Sequence, residues 1–494
     1  MSSAVAFPVP TIVASLTALN QRHEHHAKFS DAWQTYEDLY CGGEHLRAKA
    51  ASYLIKRQKE PIEVYAERVA RVYYENYIGS IIDWYCATLF RTEPQVDLAE
   101  GSDAGFWQEF LPDVDLAGSS LTEFLRKVFR CAVLHRTAWV LVDLPHTAGE
   151  PANRAEQDAM GGSRAYLVLH EAPQVLDWRE DGQGNLEWVK TKTVDLFRPS
   201  PLSGVTIQRE TWTVYSRTDY ERYSREGPAD EWKKAPGKDV SVPLEASGPH
   251  ALTDAGRVPL IRLDLGDGLW LANRAGLLAL EHFQKSNALA WAIHMGLFAM
   301  PVIYSDREWK QVVGESYFIQ LGPQDKFGWT EPEGKVFGLA AENLDRLKDE
   351  IYRVCYLMAQ AGGREAKNTG QSGVSKAFDY RAVEEVLRAL GSMVKDFVNQ
   401  VLGAVALVRD ESGTATARGL DNFDIRDLKA ELDTALELSH LVGRASPTFA
   451  RELRKRLAAK ALDDVPEATK KQIAAEIDAA NMEPAPEPAM EEEA

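Results

Sequence analysis

Cysteine is scarce in this 494-residue chain: Cys41, Cys86, Cys131 and Cys355 lie far apart, with no paired spacing. That pattern supports neither a zinc site nor a disulfide framework, and it reads as four packing residues in a reduced, intracellular setting. No stretch reaches the roughly 18 uninterrupted apolar residues of a membrane span. The opening MSSAVAFPVPTIVASL lacks the basic lead and continuous apolar core of a signal peptide. The expectation is a protein made and kept in cytoplasm, with no membrane partner. Positive charge is not in excess either. Lys and Arg number 56 against 74 Asp and Glu, a formal net charge of −18, which argues against tight sequence-specific nucleic-acid binding.

The signatures of nucleotide and hydrolytic chemistry are missing as well. There is no GxxxxGK[ST] loop, no GxGxxG after a strand, no HExxH and no G-x-S-x-G. His23, Glu24, His25 and His26 cannot converge on one ion from a helix and have no downstream partner at ligand spacing, so they read as a solvated helix face. Ser372 and Ser375 sit beside glycines with no nearby His. The expectation is a chain that is not an enzyme, with no catalytic residues, no metal and no cofactor.

What the chain does have is bulk. It is 45% hydrophobic, with 12 Trp, 17 Tyr and 17 Phe, and its length exceeds what one core normally serves, so two or more packed units are expected. Residues 1 to about 50 read as a helical, partly irregular lead-in. From Pro61 to Phe90, Val64, Val69, Val72, Tyr73, Tyr77, Ile81, Ile82 and Tyr85 recur at helical spacing, predicting one helix. Leu121 to Ala132 predicts a second, followed by a buried strand from Thr137 to Leu144. Between Tyr166 and Leu265 the period changes to two, with short strands at 166–170, 186–190, 211–215 and 258–262. The polar, Gly-containing segment 147–164 reads as a loop. Leu269 to Met300 predicts a helix of about 30 residues, roughly 45 Å long at 1.5 Å per residue. A small strand-and-turn unit follows, then helix from Asn343 through Leu357 and again from Ser375 to about Leu407.

Between those last two helices lies GGREAKNTGQSG, residues 362–373, with four glycines and no hydrophobe larger than Ala. It cannot bury anything and reads as an exposed tip held between two rods. Helical patterns broken at Ser446-Pro447 and Val465-Pro466 make a short C-terminal bundle, and MEPAPEPAMEEEA at 482–494 is expected to be disordered.

The segment YLIKRQKEPIEVYAERVARVYYENYIGSIIDWYCATLFRTEP, the strand ending Val142-Asp143-Leu144-Pro145, Val175-Leu176-Asp177-Trp178-Arg179 and Ser372-Gly373-Val374-Ser375-Lys376-Ala377-Phe378 resemble the portal proteins, or head-to-tail connectors, of tailed double-stranded DNA bacteriophages. The resemblance covers scattered parts of residues 50–400. It implies a predominantly helical α+β portal fold that assembles as a ring. In that frame residues 1–268 are the wing, with a helical and an antiparallel β part, 269–298 the first stem helix and 299–341 the clip. Residues 342–361 are then the second stem helix, 362–374 the tunnel loop, 375–420 a long wing helix and its connection, 421–482 a helical crown and 483–494 an acidic tail.

The resemblance also implies a function: a ring of twelve subunits at one capsid vertex of the virion, assembled in host cytoplasm, through which double-stranded DNA is packaged and ejected without sequence specificity. Its partners would be the terminase large subunit, later the head-tail adaptor and tail proteins, and the scaffolding and major capsid proteins whose assembly it nucleates. An acidic wall suits such a channel, because it does not trap a polymer that must slide. Arg364, Lys367, Asn368 and Gln371 of the loop would either meet passing phosphates weakly or remain solvated. Lys285, Arg346, Lys348 and Arg353 on the stem, among Glu281, Asp345, Asp349 and Glu350, would join neighbouring helices and subunits or touch DNA. Trp309, Phe318, Phe327 and Trp329 would face partners from the clip, or form the core of that small insertion. The competing reading is a cytoplasmic α/β enzyme or scaffold with coincidental similarity.

Overall fold

The computed structural model describes residues 13–145, 162, 164–228, 240–296, 300–304, 326–330, 334–357, 373–420, 423, 446–461 and 467–479. The chain divides into two units, Met1–Asp421 and Asn422–Ala494. The first opens with β1 (Val13–Ser15), then α1 (Leu16–Leu19), α2 (Glu24–Cys41), α3 (Gly43–Ala48) and α4 (Ala50–Tyr53). The helical lead-in is present, but local pattern does not announce β1. That strand forms because Val13–Ser15 pairs antiparallel with residues 241–243, far along the chain.

His23 to His26 are not a solvated face, contrary to expectation. His23 caps α2 by accepting the His25 N–H at Nδ1, and its ring stacks on Trp178 with centroids 3.9 Å apart. His26 is buried edge-on to Trp33, and only Glu24 of the four is exposed. Of the cysteines, Cys86, Cys131 and Cys355 are buried, whereas Cys41 is exposed and does not serve as a packing residue.

The single helix expected from Pro61 to Phe90 is two helices, α5 (Ile62–Ala70) and α6 (Tyr77–Leu89). The periodicity does run through the gap, but two asparagines override it. Asn76 caps α6 by accepting the Gly79 N–H at 2.7 Å, while its amide donates to the Tyr40 carbonyl at 2.8 Å. Asn287 takes both main-chain groups of Tyr73, accepting its N–H at 3.1 Å and donating to its carbonyl at 2.9 Å. Hydrogen bonds from elsewhere in the fold thus replace the helical ones.

Next come β2 (Gln95–Leu98), α7 (Ala104–Phe110), α8 (Leu121–His135) and β3 (Thr137–Asp143). A capping box between Ser120 and Glu123 starts α8 at the expected place. β3 is buried along its length except at Asp143, because it is the middle strand of a three-stranded sheet and α8 packs nearby. The strands that follow are β4 (Tyr166–Glu171), β5 (Val175–Glu180), β6 (Leu186–Phe197), β7 (Ile207–Tyr215), β8 (Tyr220–Pro228), β9 (Ser241–Gly248) and β10 (Leu260–Asp264). They form an antiparallel sheet in the order β1-β9-β8-β7-β6-β5 and a smaller one, β10-β3-β4. The four alternating stretches each seat a strand, whereas β5, β8 and β9 are additional. Glu221, Arg222, Arg225 and Glu226 hide the alternation of β8, which is held by pairing with β7 along its whole length. Val175 joins a core with Trp139, Val189, Tyr215 and Leu260, while its neighbour Leu176 turns to a second core with Leu19, Trp212, Tyr223 and Val242.

The chain continues with α9 (Gly266–Leu269), α10 (Leu271–Gly296), β11 (Met300–Tyr304) paired to β12 (Lys326–Thr330), α11 (Gly334–Val354), α12 (Gly373–Val408) and β13 (Ala415–Arg418). β13 returns to pair with β2. α11 begins well before the expected 342 and stops short of 361. Its end is set where Tyr356 takes left-handed backbone (φ 62°) and the Leu357 N–H bonds back to the Tyr352 carbonyl at 2.8 Å. The expected loops over 147–164 and 362–374 lie almost wholly outside the described residues, except that Gly373 and Val374 already belong to α12. In the second unit, α13 (Pro447–Ala461) packs on α14 (Glu467–Ala479), with Lys455 reaching Asp478 at 2.7 Å.

His135 and His170 are buried, and burial pushes both imidazoles down to about 4 from 6.5. Neither His135 Nε2 nor either ring nitrogen of His170 has a hydrogen-bond partner among the described residues. Above pH 6.5 both states of the protein keep them neutral. As pH falls from 6.5 towards 4, only the unfolded chain takes up the protons, so stability falls. The expected loss is on the order of 3 kcal/mol per histidine across that window. Urea unfolding at a series of pH values checks it, and His170→Gln should flatten the slope.

Candidate subunit interface on a helical pair

α10 lives in two environments. Its first half is core: Leu271, Ala272, Ala275, Ala279 and Phe283 are all buried. Gly276 permits the contact with α2, since a Cβ there would sit 2.3 Å from the Tyr36 ring, whose hydroxyl donates to Asn273 at 2.8 Å. Just before α10, the Trp270 indole donates to the Leu134 carbonyl at 2.8 Å. Arg274 ties the start of α10 to the end of α11, donating to the Val354 carbonyl at 3.3 Å and lying over the Tyr356 ring. Tyr85 donates to the Cys355 carbonyl at 2.7 Å, and burial holds its phenol far above the ordinary value.

The core ends at Asn287. From Ala288 to His294 no residue of α10 is buried, yet Ala288, Leu289, Ala290, Trp291, Ala292 and Ile293 are all apolar. The antiparallel register set by Arg274–Val354 and by Lys285–Asn343 (3.0 Å) lays this stretch beside the first turns of α11. There Val336 and Leu339 are 63% and 59% exposed, and no described side chain before Leu347 is buried. A helix that is apolar all round belongs inside something. Two helices cannot enclose one another, so this half of the pair offers a face for further packing. No helix among the described residues is long and apolar enough to cross a membrane.

The sequence-predicted residues fall out unevenly. Lys285 bridges α10 to α11 through Asn343 and also pairs with Glu281 at 2.9 Å. Arg353 instead pairs within its own helix, with Glu350. Arg346 is exposed and Lys348 half-buried, without an ion pair among the described residues. Phe327 and Trp329 lie in β12, opposite Ile303 and Pro301. Trp309, Phe318, Arg364, Lys367, Asn368 and Gln371 lie outside the described residues. Leu289, Trp291 and Ile293 went unremarked. The signal for them was there, since no Asp, Glu, Lys or Arg occurs from Ser286 to Ser305.

No constellation for catalysis emerges among the described residues, and no group of three or more His, Cys, Asp or Glu there could hold a metal ion. A cavity of about 420 Å³ is lined by His23, His25, Arg136, Trp178, Arg262 and Asp264. Its cations are already answered: Arg136 bonds Asp264 and His25, and Arg262 pairs with Glu180 at 2.7 Å.

The fold is therefore mixed α and β, with an apolar helical pair left open beside a filled core. No family model matches the chain, and no curated protein matches it. Among solved structures it is similar to a chain from the neck of an empty GTA particle computed with C6 symmetry, with a TM-score of 0.38, 11% identity, and coverage of 75% of this chain and 86% of that one. It is also similar to a chain of the virion of the native gene transfer agent (GTA) particle, with a TM-score of 0.34, 11% identity, and coverage of 81% and 94%. A chain from the neck of the native particle computed with C12 symmetry gives 0.33 and 10%, with coverage of 80% and 89%. At these scores and identities the similarity assigns no function.

Asn287→Ala should cost about 1–3 kcal/mol, because it strips both main-chain groups of Tyr73 of their partner. Chemical denaturation of the purified protein measures the loss.

Proposed function

We propose that this chain is the portal protein of a tailed double-stranded DNA phage or phage-like particle, a non-enzymatic ring subunit at one capsid vertex. The observation that carries the reading is the open half of the α10–α11 pair. Packed side by side around an axis, such pairs bury on their neighbours the apolar surface that one copy leaves in water, at about 25 cal/mol per Å². The order of elements supports it: a helix, a short strand pair, a returning helix, the glycine-rich segment 362–373 and a long helix. The sequence resemblance spans the same region.

In this reading α10 and α11 are the stem, the strand pair belongs to the clip, residues 1–268 and 375–420 are the wing, and residues 421–482 are the crown. Twelve copies form a channel for double-stranded DNA. Terminase binds it during packaging, adaptor and tail proteins bind it afterwards, and scaffolding and coat proteins assemble from it. Each copy contributes a net charge of −18, which keeps the polymer from sticking wherever those charges face the channel.

Negative-stain electron microscopy with mass photometry should show rings of about a dozen subunits with a central hole. Ile293→Glu with Leu339→Glu should leave the thermal midpoint nearly unchanged, since both side chains are exposed, and should abolish the rings. A wild-type dimer without a hole would favour the scaffold alternative. Deleting residues 363–373 should leave rings intact and lower DNA packaging or retention. Loss of rings on that deletion would assign the segment to an interface instead.

A further inference from the structure

The segment Ile55-Lys56-Arg57-Gln58-Lys59 is exposed at every residue, in a chain whose balance is strongly acidic. It is also held. Glu60 and Arg68 form a buried pair, with Arg68 Nη1 2.7 Å from both carboxylate oxygens, and the Arg57 N–H donates to the same carboxylate at 3.0 Å. The Glu60 N–H closes the turn on the Arg57 carbonyl at 3.2 Å, and the Tyr65 hydroxyl donates to the Leu54 carbonyl at 3.0 Å. Lys56, Arg57 and Lys59 have no ion pair among the described residues. A buried ion pair therefore orders an exposed basic loop.

The position of this loop on α10 is set by Gln284, which donates to the Tyr53 carbonyl at 3.2 Å. Two residues earlier, His282 packs edge-on to Tyr77 of α6 at 5.1 Å. Two residues along an α-helix turn the direction by about 200°, so the loop and α6 flank α10 on nearly opposite sides at one level. The α6 flank carries acid. Glu342, Asp345 and Asp349 recur on α11 at i, i+3 and i+7, one ridge of the helix, and likewise have no ion pair among the described residues. Tyr352, the next residue on the same ridge at i+10, packs edge-on to Tyr77 of α6 with centroids 6.0 Å apart, which sets the ridge on that flank. The Lys285–Asn343 bond puts this ridge at the level of Gln284.

We propose that these two patches are the halves of one head-to-tail contact: Lys56, Arg57 and Lys59 of one copy against Glu342, Asp345 and Asp349 of the next. A heterologous interface needs two different, complementary patches, and the loop on one flank and the α11 ridge on the other supply them. The contact rests on the ring reading above and names the charges that set its handedness and register. The occupant is a second copy of this chain because the complement of the loop lies on the chain itself.

The test is ring yield against salt for three full-length proteins. Lys56→Glu, Arg57→Glu and Lys59→Glu together should cut ring yield about tenfold at 0.1 M salt, with unchanged circular dichroism and melting, since all three side chains are exposed. Adding Glu342→Lys, Asp345→Lys and Asp349→Lys to the same chain should restore the rings. Wild-type rings with equally good rings from the triple variant would overturn the contact and leave the ring reading standing. Loss of rings without rescue would overturn the acidic ridge as partner. A triple variant that keeps its rings but loses retention of double-stranded DNA would reassign the loop to nucleic acid. A wild-type chain that stays monomeric at every salt concentration would overturn contact and ring together.

Discussion

One amide divides this structure into what is finished and what is left open. Asn287 stands in the middle of α10 and holds the Tyr73 main chain through two hydrogen bonds, at 3.1 and 2.9 Å. Before it, α10 is the post around which α2, α6 and α8 pack. After it, from Ala288 to Ile293, the same helix is apolar and no residue is fully buried. The helix is continuous, so the order of the core is carried into the open part without a hinge. A face presented on a rigid element can meet its neighbour without first being ordered, which lowers the entropic cost of assembly.

A second polar centre connects the N-terminal helices to that post. Asp38 is almost fully buried and accepts from Lys49 and Tyr53 at 2.6 Å, His45 at 2.8 Å and Gln34 at 2.9 Å. Burial alone would raise its carboxyl, but the bonds from Lys49, Tyr53, His45 and Gln34 outweigh it and hold the group below its ordinary value. Tyr53 is thereby set at the end of α4, where its carbonyl meets Gln284. The charged loop that follows is placed by this chain of bonds. Its position on the flank of α10 is a consequence of a carboxylate two helices away.

Much of the course of the chain was legible. The helical pattern from Leu121 to Ala132, the apolar run Thr137–Leu144 and the long apolar pattern after Leu269 each name an element close to its observed place. Failures cluster where distant partners override local pattern. The 61–90 periodicity is real but interrupted by Asn76 and Asn287. β1 is too short to show a period, and β8 too charged. The histidines of α2 looked solvated because Trp178, which covers His23, lies more than a hundred residues away. At the candidate interface the charged residues were visible by type, while Leu289 and Ile293 were not singled out, since helical spacing cannot tell a face covered by its own chain from one left for another.

The sequence by itself determined the two-part character of the chain, helical with an antiparallel insertion, its acid balance, its want of catalytic signatures and the glycine-rich interruption between long helices. These depend on composition and on periods of 2 and 3.6, which neighbouring residues carry among themselves. Only the tertiary structure decided where α10 ceases to be core, which cations are answered and which are not, and which flank of the helical pair each charged patch occupies. Those depend on hydrogen bonds and packing between residues more than two hundred positions apart, such as Tyr73 with Asn287, and no local pattern encodes them.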